Sequence, residues 1–99
     1  MYQIRFRPEA MQDITQLRDY IHTECAAPLT AARQFQDLGK RLDWLEQFAE
    51  SLAIDFDLSY KYGMLVRHIS FGKKMTILYT VEEGVVYVLR IMPQSMIIY

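Results

Sequence analysis

Residues 64–92 read MLVRHISFGKKMTILYTVEEGVVYVLRIM, and the fold turns on them. Three apolar runs rich in β-branched and aromatic residues are separated by Gly-Lys-Lys and Glu-Glu-Gly, which have the composition of short turns. The stretch therefore predicts a three-stranded antiparallel meander. Arg67 and Arg90 stand inside the first and last runs. A charged side chain in mid-strand is costly to bury, so each arginine is expected to reach an exposed sheet face or to bind an anion there.

Turn lengths decide where those arginines point. A three-residue loop Glu82-Glu83-Gly84, with glycine in the left-handed position, would pair Val81 with Val85, Tyr79 with Tyr87, Ile77 with Leu89 and Met75 with Ile91. A two-residue turn at Gly72-Lys73 would set Phe71 opposite Lys74 and Arg67 opposite Leu78. Arg67 and Arg90 then share a face with Thr76, Leu78, Thr80, Val86 and Val88, and His68 lies on the other, core side. A three-residue turn at Gly72-Lys73-Lys74 would reverse Arg67. Two guanidinium groups on one uncovered face suit phosphate, which they bind bidentately without losing charge. An aspartate or glutamate partner is the alternative use for either.

Outward from the meander, Tyr2, Ile4 and Phe6 alternate with Gln3, Arg5 and Arg7, the period-2 pattern of a half-buried strand that must join the same sheet. Arg5 and Arg7 are then solvated on the face away from Ile4. Pro8 is placed to open a helix, with Glu9 and Asp13 complementing its dipole. Ala10, Ile14, Leu17, Ile21 and Cys25 form its core stripe, with His22 off it at the surface. After Ala-Ala-Pro-Leu, Thr30 is the candidate N-cap of a second helix carrying Phe35, Leu38, Leu42, Leu45, Ala49 and Leu52 at alternating three and four spacing. So short a connection predicts an antiparallel two-helix hairpin packed on the sheet. Trp44 and Phe48 widen the second helix's apolar face and are candidates for contact with a partner. Beyond Glu50, Ile54-Asp55-Phe56-Asp57-Leu58 reads as a short edge strand or packed loop, with both aspartates as solvated turn charges. Lys61, Lys73 and Lys74 are the cations nearest the arginines along the chain.

The 99 residues make one domain over 1–99, with 52% hydrophobic and 13% aromatic content, enough for a single core. Fold class is thus α+β. No apolar run approaches the ~20 residues of a membrane span, and Met-Tyr-Gln-Ile-Arg-Phe-Arg lacks a signal peptide's apolar region, so a cytoplasmic location without membrane contact is expected. Cys25 is the sole cysteine, which excludes an internal disulfide and a multi-cysteine metal site; no cofactor is expected. Net charge is −1, but residues 1–57 hold six Lys/Arg against ten Asp/Glu and residues 58–99 five against two, so positive charge gathers on the strands.

With strand, helical hairpin and meander in this order, and with YQIRFRPEA, RHISFGKKMTILYTV and VVYVLRI at their places, nearly the whole chain resembles the RelE/ParE superfamily of toxins from bacterial type II toxin–antitoxin modules. The resemblance implies a cognate antitoxin that wraps the apolar surface, for which Trp44, Phe48, Leu78, Val86 and Val88 are the candidate contacts. It also implies one of two activities. RelE-like members cut mRNA on the ribosome, and Arg67 and Arg90 match arginines that this branch uses to stabilise phosphate, with Lys61 and Tyr99 as further catalytic candidates. ParE-like members instead inhibit DNA gyrase by binding. Cleavage through a 2′-hydroxyl needs a proton acceptor and donor, and the nuclease branch often has a histidine or tyrosine just after the last-strand arginine. Here Ile91, Met92 and Pro93 follow, with Pro93 where a histidine often stands. The departure favours a ParE-like gyrase inhibitor over a ribosome-dependent endonuclease, with a degenerate, non-toxic partner-binding member as a third reading.

Overall fold

The computed structural model describes residues 1–24 and 28–97, with side chains described outside 20–31. Strand β1 (Gln3–Phe6) leads into helix α1 (Pro8–Glu24) and helix α2 (Pro28–Phe48). A 3-10 turn (Ala49–Ser51) and a short helix α3 (Phe56–Tyr62) precede the meander β2 (Arg67–Phe71), β3 (Met75–Glu82) and β4 (Val85–Pro93), and a last 3-10 turn covers Gln94–Met96. Pro8 opens α1 as its fixed φ and missing N–H favour. Thr30 is not an N-cap, because Pro28 already starts α2 two residues earlier. Cys25 and Tyr99 lie outside the described residues, as does the side chain of His22.

The sheet order is β1-β4-β3-β2, with β1 parallel to β4 and the other pairs antiparallel. A parallel neighbour needs a long crossover, and here the helices, β2 and β3 all intervene. The main core lies between the sheet and the two long helices, where Ala10, Leu38, Leu45 and Ala49 meet Ile77, Tyr79, Val86, Val88 and Ile91. Ile14, Leu17, Phe35, Leu42 and Leu52 pack at its edges, so the helical spacing in the sequence marks the buried stripe. A second, smaller cluster of Leu58, Val66, Leu78 and Leu89 sits on the opposite face under α3. Leu58 on α3 is what that helix buries.

Helix α3 replaces the expected edge strand or loop, and both of its ends are written locally. The Asp55 carboxylate accepts from the Leu58 N–H at 3.0 Å as N-cap. At the other end Gly63 takes φ +70 and donates to the Ser59 carbonyl, a left-handed C-terminal stop.

Both meander turns differ from the expected lengths, and the register moves with them. Phe71 pairs with Met75, so Gly72-Lys73-Lys74 is a three-residue loop. Glu82 pairs with Val85, so Glu83-Gly84 is a two-residue turn with both φ positive, at +49 and +78. This is the primed geometry whose twist suits a hairpin. A β-bulge then sets Leu89 and Arg90 together opposite Leu78, between the Tyr79–Val88 and Leu78–Arg90 pairs. The bulge lets Val86, Val88 and Ile91 all reach the main core in spite of their uneven spacing.

Candidate functional site

The new register separates the two arginines. Arg67 pairs with Tyr79, whose side chain belongs to the main core, and so it faces the helices. Its Nε donates to the Leu52 carbonyl at 2.9 Å, at the end of the 3-10 turn that follows α2. Tyr79 on β3 and Tyr2, just before β1, satisfy carbonyls in the same region. The Tyr79 hydroxyl donates to the Ala49 carbonyl at 2.7 Å, and the Tyr2 N–H to the Glu46 carbonyl at 2.7 Å. Arg67 therefore ties the connection after α2 to the sheet through a charge-assisted bond to a main-chain carbonyl. Burial pushes the Tyr79 phenol up to about 12, because its ionised form would lose water without gaining a cation close enough to compensate. The exposed Tyr2 hydroxyl donates to Glu50 Oε1 at 2.6 Å, and that hydrogen bond raises its pKa.

Arg90 lies on the opposite side, in line with Leu78. Its Nε donates to Asp13 Oδ2 at 2.7 Å and its Nη2 to Asp13 Oδ1 at 3.0 Å, a bidentate pair between β4 and α1. The Ile91 N–H donates to the same Oδ2 at 2.9 Å. The reason is topological. β1 stops at Phe6, the Arg7 N–H takes the Val88 carbonyl, and beyond that no strand among the described residues lies beside the outer edge of β4. Asp13, on the first turns of α1, takes over that edge. Its hydrogen bond is the main cause that raises the Arg90 pKa.

Two cavities flank Arg90. One of about 130 Å³ is walled by Leu58, Lys61, Tyr62, Leu78 and Met92. The other, about 350 Å³, lies between α1, α2 and the end of β4, with Leu17, Gln34, Met75 and Pro93 in its walls. Lys61 therefore joins Arg90 at one cavity, whereas Arg67 joins neither. The predicted pairing of Arg67 with Arg90 on one face is corrected: the three-residue Gly72-Lys73-Lys74 loop turns Arg67 over.

His68 is corrected by the same shift. It pairs with Leu78 on the α3 face, where its Nε2 lies 3.2 Å from Asp55 Oδ2. His68 and Arg90 thus stand on either side of Leu78, two strands and roughly 10 Å apart. Leu78, Val86 and Val88 were expected on an exposed face, but each is buried in the chain itself. Trp44 and Phe48 keep an accessible edge: their rings lie 5.3 Å apart and Phe48 is 48% exposed.

Asp13 and Asp55 have roles other than those expected: Asp13, read as a complement to the helix dipole, binds Arg90 and the Ile91 N–H, and Asp55, read as a solvated turn charge, caps α3 and meets His68. Asp13 stands three positions after Ala10, inside the core stripe rather than beside it, and that placement was a readable signal. Asp55 followed seven residues later by Tyr62-Gly63 is a short helix with both caps. Among the described residues no group of three His, Cys, Asp or Glu side chains is arranged to hold a metal, and no helix is long and apolar enough to cross a membrane.

The model of the ParE toxin of type II toxin–antitoxin systems, parDE, matches residues 4–98. The chain belongs to the ParE toxin family. Among solved structures, its fold is similar to a chain described as the chromosomal ParDE TA system from P. aeruginosa. The two share 21% identity and a TM-score of 0.68, over 94% of this chain and 96% of that one. No curated protein sequence matches significantly. This ParE-family toxin therefore keeps the sheet and helical hairpin of that structure at low identity. Within that frame its last-strand arginine is bound to a helix carboxylate.

Proposed function

We propose that this toxin arrests growth by binding and inhibiting DNA gyrase, without cutting RNA, and that a cognate antitoxin neutralises it in the cytoplasm. Family membership supports the toxin role. The observation that carries the choice of a binding inhibitor is the bidentate Asp13–Arg90 pair. A ribonuclease needs cations free to meet the extra charge of a pentavalent phosphate, and near them an acid and a base. Here Arg90 is neutralised by Asp13, Arg67 lies on the other face of the sheet, and Ile91, Met92 and Pro93 follow Arg90. Trp44 and Phe48 are the antitoxin contacts in this reading, an aromatic pair of the kind that anchors interfaces.

Induced expression in growing cells tests the reading. Growth should stop with broken chromosomal DNA and uncut mRNA, and co-expression of the antitoxin should relieve it. Transcripts cleaved at the ribosomal A site with intact DNA would instead identify an RelE-like endonuclease. A folded protein with no effect on growth would leave partner binding as its role.

A further inference from the structure

The sheet face turned away from the long helices is only partly covered. α3 shields Leu58, Val66, Leu78 and Leu89, but β1 and the tips of β3 and β4 stay open. Ile4 and Phe6 pack into the main core in register with Val86 and Val88. Arg5 and Arg7 must therefore project from the open face, with Arg5 in register with Tyr87. Neither guanidinium has an ion-pair or hydrogen-bond partner among the described residues. Beside them opens a cavity of about 240 Å³, lined by Arg7, Met64, Thr80, Glu82, Tyr87 and Leu89. The Thr80 hydroxyl donates to the Leu65 carbonyl at 2.7 Å and holds the segment before β2 against this rim, where Leu65 remains 61% exposed.

We propose that this face docks an acidic segment of a partner protein, whose apolar side chain fills the cavity while neighbouring carboxylates pair with Arg5 and Arg7. Arginine, tyrosine and methionine are the residues enriched at protein interfaces, and this face combines them with a hollow of side-chain size. Arg5 in β1 and Arg7 just past its end stand two residues apart, so their backbone positions are separated by roughly 6.6 Å, the spacing of alternate residues in an extended peptide. Each guanidinium can bind a carboxylate bidentately. Glu82, on the hairpin side of the cavity, repels a further carboxylate and so orients the segment with its acids over β1 and its apolar side chain over β3. That carboxylate, the apolar Met64 and Leu89 side chains in the cavity wall and the net charge of −1 disfavour a nucleic acid backbone on this face. The surface uses neither Trp44 and Phe48, the proposed antitoxin contacts, nor the Asp13–Arg90 pair, and its test is independent of the proposed gyrase inhibition.

The probe is the peptide acetyl-Glu-Leu-Glu-Phe-Glu-amide, titrated into the ¹⁵N-labelled full chain. Saturable shifts are expected at the amides of Arg5, Arg7, Thr80, Tyr87 and Leu89. An Arg5→Ser, Arg7→Ser double variant, with an unchanged melting temperature because both side chains are exposed, should bind about tenfold more weakly. The proposal is overturned if those amides do not shift, if acetyl-Ser-Leu-Ser-Phe-Ser-amide binds equally well, or if the double variant binds like the native chain. Stronger binding of a single-stranded oligonucleotide at these amides would overturn it in favour of nucleic acid. Shifts that grow with protein concentration alone would do so in favour of a second copy of the chain.

Discussion

At the residue scale, Asp13 and Tyr79 do most to hold the layers in place. Asp13 is only 8% exposed, and it accepts from both Arg90 and the Ile91 N–H. Removing it leaves a guanidinium and an edge N–H without their acceptor. Because the Arg90 side chain is 37% exposed, solvent recovers part of the loss, and Asp13→Ala should cost about 2–3 kcal/mol in urea unfolding. Asp13→Ala combined with Arg90→Ala should cost clearly less than the sum of the single changes, since one bond is lost twice in that sum. Additive costs would show that the pair does not matter to stability. Tyr79→Phe leaves the Ala49 carbonyl without its donor and should cost about 1–3 kcal/mol at neutral pH. The pH dependence has a definite sign. The folded phenol titrates near 12, above about 10 in the unfolded chain. Its contribution is therefore complete below pH 10 and falls away as pH rises towards 12, by up to about 1.4 kcal/mol per pH unit. The gap in stability between native and Tyr79→Phe protein should narrow over that window.

At the element scale, turns and caps explain both the successes and the misses of reading from sequence. The alternation in β1 and the helical spacing from Phe35 to Leu52 were legible because each repeats over several residues and one face is buried. The turns were not, because Gly72-Lys73-Lys74 and Glu82-Glu83-Gly84 each accept two- or three-residue loops, and one residue of slip reverses every side chain. The bulge at Leu89 and Arg90 has no local signature. Arg90's partner was out of reach for another reason: it lies 77 residues away on α1, and the meeting depends on where β1 happens to end. Position 83 offers a check on the turn. Glu83 sits at φ +49 in the two-residue turn, where asparagine is better suited. Glu83→Asn should therefore stabilise the protein by about 0.5–1 kcal/mol, seen as a higher denaturation midpoint with an unchanged slope. A three-residue loop with only Gly84 left-handed predicts no gain.

At the scale of the whole molecule, four strands carry two unequal faces. The helical hairpin seals one, and Arg67 is used there to satisfy a carbonyl beside the end of α2. The other is divided between a small cluster under α3 and the open region around Arg5, Arg7 and Tyr87. Arginines that look alike in the sequence thus have separate places: Arg67 and Arg90 hold the layers together, and Arg5 and Arg7 face solvent on the proposed docking face. The proposed action by binding is consistent with that division, since Arg67 and Arg90 are not left together to meet a phosphate. Supercoiling of relaxed plasmid by purified gyrase, titrated with the purified toxin, tests this most directly. Supercoiling should fall and cleaved DNA complexes should accumulate as toxin approaches gyrase in concentration. Full supercoiling at a large excess of folded toxin, with mRNA cut on programmed ribosomes by the same preparation, would contradict it.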